Sequence, residues 1–347
     1  MAKSKKVDRE QLLTYLEAVS PGVTTKDGVE QSSCVVFTGG RIWSFNGEIA
    51  CNIPSPVSDV EGAIQAKGLL DLFSRVPDEL ISVRIKNGAL QVVGKNKRAQ
   101  LRMEESIDLK IDAVETATRW VDLPPDFSQG VGMVHSCASK DADEFGLNCV
   151  AIHREYIEAC DRFQVARYST GLLLRNRMLI QAVSLKAICN YDMTRYSVTK
   201  NWLHFRNNAD LILSIRRQTV DFPDLDHLVT GGDGADIIFP ASLPKLAERS
   251  EIFSANNPES QAVKVTFADG YLTLMGKGPA GMYEERVEAS FDGDPISFMA
   301  SPDILKDMLT KSPQATLIPK DAPKRLWLET GKFTYVAVTA ASKTDGE

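Results

Sequence analysis

The chain has 347 residues, 43% hydrophobic and 25% charged, with a formal net charge of −6. At roughly 100–150 residues per domain this suits two or three domains with adequate cores, and the composition excludes a disordered or fibrous chain. No apolar run approaches the roughly 20 residues of a bilayer span, and the basic start MAKSKKVDREQ lacks the apolar segment of a secretory signal, so a cytoplasmic location is expected.

A short amphipathic helix is predicted from Asp8 (DREQLLTYLEAV), where Asp8 and Gln11 have the spacing of a capping box. A hairpin follows at 34–45 around Gly39-Gly40, then a helix from Ala66 and a hairpin at 83–93 around Asn87-Gly88. Residues 105–120 read as a linker. A helix from Asp126 is weakened by Gly130 and Gly132, and a hairpin covers 148–160. A helix near Ala182 precedes a hairpin at 196–205, and 224–236, rich in Gly and Asp, reads as a second linker. The last units are a helix from Ser242 with a hairpin at 263–275 around Asp269-Gly270, and a helix from Ser301 with a hairpin at 326–338. Pro244 and Pro302 stand in the first turns of their helices, where proline is tolerated. The Gly-Gly, Asn-Gly and Asp-Gly pairs supply the positive φ of two-residue hairpin turns.

The helix starts at 8, 66, 126, 182, 242 and 301 are separated by 58, 60, 56, 60 and 59 residues. Such a constant interval marks an internal repeat. Taken in pairs, the units predict three domains, 1–118, 119–228 and 229–347, of an α+β class in which two helices pack on antiparallel sheets. Each helix has an apolar face, such as Leu69, Leu72, Phe73 and Val76, or Ile304, Leu305, Met308 and Leu309, which must cover a sheet. The opposite faces would be polar. If the sheets curve into an arc, those faces line its concave side.

Chemistry-bearing motifs are sparse. Cys34, Cys51, Cys137, Cys149, Cys160 and Cys189 form no CxxC pair and read as buried thiols. His135, His153, His204 and His227 have no metal-ligand spacing. Asp141, Asp143 and Glu144 read as a solvated acidic loop rather than a cation site. GKGPAG at 276–281 fits G-x-G-x-x-G, but an alternating stretch, MYEERVEASF, follows where a dinucleotide site needs a helix, so a loop between strands is the better reading. No metal ion, cofactor or catalytic residue is expected. The net negative charge does not settle nucleic-acid binding, because what matters is where Lys and Arg gather. On five predicted helices the polar faces carry Arg9, Lys67, Arg75, Lys186, Lys245, Arg249, Lys306 and Lys311. These are the candidate phosphate contacts, without base readers.

The sequence resembles the beta sliding clamp family of bacterial replicative DNA polymerases (the DNA polymerase III beta subunit), in a divergent, phage-type form. VDREQLLTYLEAVS resembles the clamp's first helix, and residues 61–103 the second half of its first domain. DFPDL (221–225) resembles the passage into the third domain, VEASFDGDPISFMASPDILKDML (287–309) the third-domain signature, and YVAVTA (335–340) the final strand. The resemblance implies three tandem clamp domains in an arc, closed by head-to-tail homodimerisation into a ring around duplex DNA. It also implies a hydrophobic groove that takes short peptides of the replicative polymerase and the clamp loader, and no enzymatic activity. Val150, Val165, Pro223, Leu228 and Val338 match that groove in type. Three departures are notable. KSKKV is a poor match to the family's first strand, Cys160-Asp161-Arg162-Phe163-Gln164 replaces a Thr-Asp-Gly-His-Arg stretch, and Val338-Thr339-Ala340 replaces a C-terminal Met-Pro-Met, the chain running on through SKTDGE. Two other readings remain beside a replicative processivity factor: a phage clamp serving late transcription or another client, and a nucleotide-binding enzyme using the 276–281 loop.

Overall fold

The computed structural model describes residues 5–26, 28–141, 144, 146–254, 261–291, 293–318 and 324–339. Asp143, Ala340 and the SKTDGE stretch lie outside the described residues. The described helices are α1 (Arg9–Ala18), α2 (Ala66–Arg75), α3 (Phe127–Val134), α4 (Ala182–Leu185), α5 (Leu243–Ser254) and α6 (Pro302–Lys311). A 3-10 turn, Lys186–Asn190, continues α4. The chain forms two compact units, one of Met1–Ser128 with Met178–Thr219 and one of Gln129–Arg177 with Val220–Glu347.

In the first unit a four-stranded antiparallel sheet runs in the order Lys5–Asp8, Leu80–Lys86, Ala89–Val93, Arg98–Arg102. The poor first strand therefore forms. Its register, Val7 against Ile81 and Asp8 against Leu80, buries Val7 and delivers Asp8 to the start of α1, where its carboxylate accepts from the Gln11 N–H at 3.0 Å. Strand formation here comes from the partner strand, which the four residues alone do not reveal. Only half of the capping box forms, since the Gln11 amide donates to the Tyr15 hydroxyl. The larger sheet of this unit places Ile49–Pro54 between Arg41–Phe45 and Ile212–Gln218, with Trp202–Asn207 paired to the far side of Ile212–Gln218.

The second unit repeats the plan. One sheet runs Cys149–Ile152, Ile157–Cys160, Gln164–Tyr168, Phe333–Val338, Arg325–Thr330, Gln314–Ile318, Ala235–Ile238. The other runs Gly281–Glu288, Tyr271–Gly278, Val263–Ala268, Ile296–Ala300. All six predicted hairpins are present, and the sharp ones turn on Gly39-Gly40, Asn87-Gly88 and Asp269-Gly270 with φ between 52° and 75°. Tyr271–Gly278 and Gly281–Glu288 pair along their length, so the 276–281 segment is the end of a hairpin. Gly276 serves packing: a Cβ there would lie 1.9 Å from the Ser250 carbonyl oxygen of α5. Gly130, which weakens α3 as a helix, allows α3 to approach the sheet, since a Cβ would meet Tyr168 at 2.8 Å.

The two predicted linkers are straps over the sheets. Leu109 is buried, and Ile107, Ile111 and Val114 pack on a core of Val36, Phe45, Ala50 and Trp202, whose indole N–H donates to the Ala113 carbonyl at 3.2 Å. In the second unit the Trp327 indole donates to the Val229 carbonyl at 3.3 Å, and Gly231 lies under its ring. Alternation explains why 105–120 is not free: Ile107, Leu109 and Ile111 place three apolar side chains at a spacing of two. The six cysteines are free thiols, five buried and Cys189 exposed. Burial pushes the Cys51, Cys137 and Cys160 thiols up to about 12.

Candidate nucleic-acid interface and partner groove

The eight candidate cations divide by what surrounds them. Lys67, Arg75, Lys186 and Lys245 are exposed on α2, the turn after α4, and α5. Arg75 faces Asp71 one helical turn away at 3.9 Å, with both side chains mostly in water, so that contact leaves its charge available. The remaining four are already engaged. The half-buried Arg9 donates to the Phe73 carbonyl at 3.1 Å, tying α1 to the end of α2. Arg249 holds Glu285 by two bonds, at 2.7 and 2.8 Å, and the Tyr283 hydroxyl at 3.1 Å. Those bonds keep the Glu285 carboxyl below the usual carboxylate range. Lys306 bridges Glu251 of α5 at 2.9 Å and Asp303 of its own helix at 2.8 Å.

Lys311 is a correction. Its side chain is 2% exposed, ion-paired with Asp307, and lies 4.9 Å over the Tyr335 ring. It cannot meet a phosphate without unpacking α6. The sequence holds the signal: Lys311 follows Ile304 and Met308 at i+7 and i+3, on the apolar face that packs on the sheet. Burial would raise the Asp307 carboxyl, but the bond and charge of Lys311, with Thr310 and Ser136, outweigh it and hold it below the usual range.

The five groove candidates also divide. In the register Val165 faces Val336, and Val338 continues on the same face, with Leu228 reached through the Arg325 guanidinium, which donates to the Leu228 carbonyl at 3.1 Å. Pro223 is exposed at the head of that strap. Val150 is the second correction. Its neighbour Ala151 pairs with Glu158 and hence with Arg167, which shares the Val165 face, so alternation turns Val150 to the opposite face. It is fully buried and belongs to the core.

Sequence reasoning missed what this face displays most prominently. Phe163 is 59% exposed at a turn that Asp161 fixes by accepting from the Phe163 and Gln164 N–H groups at 2.7 and 2.8 Å. Its carbonyl accepts from the Val338 N–H at 2.8 Å, so Phe163 and Val338 stand side by side. Trp327 is half-exposed two residues along the same face. Phe163, Val165, Val338 and Trp327 share one sheet face, with Arg325 across from Val338 reaching to the Leu228 backbone, and this largely apolar surface suits apolar side chains of an extended peptide. At Glu144 the solvated-loop expectation does not hold, since its side chain is 14% exposed and ion-paired with Arg162 of this turn.

No protein-family model matches the chain, and no curated protein matches it in sequence. Solved structures match it in fold. The DNA polymerase III beta chain of Streptococcus pneumoniae TIGR4 superposes with a TM-score of 0.81 at 17% identity, covering 99% of this chain and 100% of that one. The beta subunit of Thermotoga maritima gives 0.82 at 14% identity over 98% and 99%. The sliding clamp of Pseudomonas aeruginosa, solved bound to griselimycin, gives 0.81 at 16% identity over 99% and 100%. At these identities the likeness is one of fold, and it spans the whole length on both sides: the chain has the α+β fold of the DNA polymerase III beta sliding clamps.

Proposed function

We propose that this chain is a DNA sliding clamp, a non-enzymatic processivity factor that encircles duplex DNA and tethers a polymerase. The observation that carries the reading is the end-to-end likeness of fold, joined by exposed cations on helix faces and an apolar strip on a sheet face. In this reading 1–118, 119–228 and 229–347 are the three repeats, and Lys67, Arg75, Lys186 and Lys245 make sequence-blind phosphate contacts. Such contacts are to charge alone and leave the ring free to move along the duplex. The strip of Phe163, Val165, Val338 and Trp327, with Leu228 on the adjoining strap and Pro223 at its head, takes the short peptide of a polymerase or clamp loader. A closed ring then holds the polymerase at high effective concentration near its template.

Ring closure is proposed through strand edges. Arg98–Arg102 is an edge of its sheet and exposes Arg98, Gln100 and Arg102. Gly281–Glu288 is an edge of another and exposes Glu284, Arg286 and Glu288. Open edges invite pairing, and edges of opposite charge set a head-to-tail partner choice between two copies. Sedimentation equilibrium tests this: the reading requires a species of twice 38.2 kDa, dissociated by Arg98→Glu with Arg102→Glu. A strictly monomeric parent at micromolar concentration contradicts it.

A further inference from the structure

The two units contain the same junction twice, with different chemistry. In the second unit, Gln164–Tyr168 pairs with Phe333–Val338, and beyond the last pair the Val338 N–H donates to the Phe163 carbonyl at 2.8 Å. In the first unit, Ile49–Pro54 pairs with Ile212–Gln218, and beyond Ile49 against Ile215 the Arg216 N–H donates to the Glu48 carbonyl at 2.9 Å. Glu48 is thus the counterpart of Phe163, and Arg216 of Val338. Each junction has a strap held by a tryptophan indole, Trp327 to Val229 and Trp202 to Ala113.

The surfaces differ sharply. In the second unit Arg325, across from Val338, reaches away to the Leu228 carbonyl, and Trp327 stays half-exposed. In the first unit Trp202 stands directly across from Arg216, whose guanidinium lies 4.9 Å over the indole and donates to the Gly47 carbonyl at 2.7 Å. Trp202 is 1% exposed. Glu48 is held by the Gln218 amide at 2.9 Å, so the place that displays a phenyl ring in one junction displays a carboxylate bonded to an amide in the other. An apolar peptide laid there would have to displace a stacked guanidinium and desolvate a carboxylate.

We infer that Arg216, stacked on Trp202 beside Glu48, closes the first unit's counterpart of the groove to apolar peptides and limits each chain to one client peptide. The inference rests on the groove reading above. Arg216 is a specificity-determining residue by exclusion, the repulsive element that a repeated fold needs when only one copy of a site is to be used.

The test is calorimetric titration of the full-length chain with a six-residue, fluorescein-labelled peptide carrying adjacent Leu and Phe side chains. The parent takes one peptide per chain. Arg216→Val with Glu48→Ala takes two, and Phe163→Ala placed on that background removes the original site and leaves the new one. Circular dichroism and a cooperative melt establish that each variant is folded; if the Val variant is not, Arg216→Met, which keeps the aliphatic stem over the ring, replaces it. Two peptides on the parent, or one on the folded double variant, overturn the inference while the groove stands. A parent that binds none removes the groove reading and the inference together.

Discussion

Replacing Lys67, Lys186, Lys245 and Arg75 together by Gln removes the four exposed helix cations and leaves the engaged ones in place. If each makes one phosphate contact, the log–log dependence of duplex affinity on salt flattens by about 0.9 per contact, or about 3.6 in all. Between 50 and 200 mM salt the parent then loses about 150-fold more affinity than the variant. Arg249 and Lys306 give the matched control. They sit on neighbouring helices but are neutralised by Glu285, and by Glu251 and Asp303. Changing those two to Gln should leave the slope nearly unaltered. Fluorescence anisotropy on a labelled linear duplex across a salt series measures both. A fourfold variant with the parent's slope, or a control pair that flattens it as strongly, refutes the division into free and engaged cations.

Lys311→Met should destabilise the chain by about 2–4 kcal/mol in urea unfolding, because Asp307 loses the partner that offsets its partial burial; an unchanged midpoint would mean the pair contributes nothing. Gly276→Ala should cost about 1–3 kcal/mol, since α5 must move off the Ser250 contact, and a neutral effect would show that α5 moves freely. His204 is buried, bonds Thr199 and Ser214, and burial lowers it to about 4. Neutral in the fold and ionising near 6.5 when unfolded, it contributes stability that is present above about 6.5 and is lost as pH falls toward 4, by up to about 3 kcal/mol. His204→Gln should flatten that acid limb, and an unchanged limb would assign it to carboxylates.

The parts of the fold legible in the sequence are those fixed by local geometry. Gly39-Gly40, Asn87-Gly88 and Asp269-Gly270 need positive φ wherever they stand, so their hairpins can be placed without tertiary information. The spacing of the helix starts carried the repeat. What was not legible depends on partners distant in sequence. Lys5–Asp8 is a strand because Leu80–Lys86 lies beside it, and 105–120 is a strap because Trp202 bonds Ala113. In the site, residue type outweighed register: Val150 and Val165 look alike in sequence, and only pairing puts them on opposite faces. The charge of Lys311 points outward to solvent, whereas its helical spacing from Ile304 and Met308 places it inward. The exposure of Phe163 depends on the turn that Asp161 fixes, which residue type alone does not reveal.

Retention on closed and open DNA tests most directly whether DNA is held by encirclement. The chain is loaded on a nicked circular plasmid, washed at a salt concentration that abolishes binding to linear duplex, and followed by gel filtration before and after the plasmid is cut once. An encircling ring stays with the circle through the wash and leaves once an end is available, because a ring slides off what it does not grip. Release from the circle at the same salt that releases it from linear duplex would contradict encirclement.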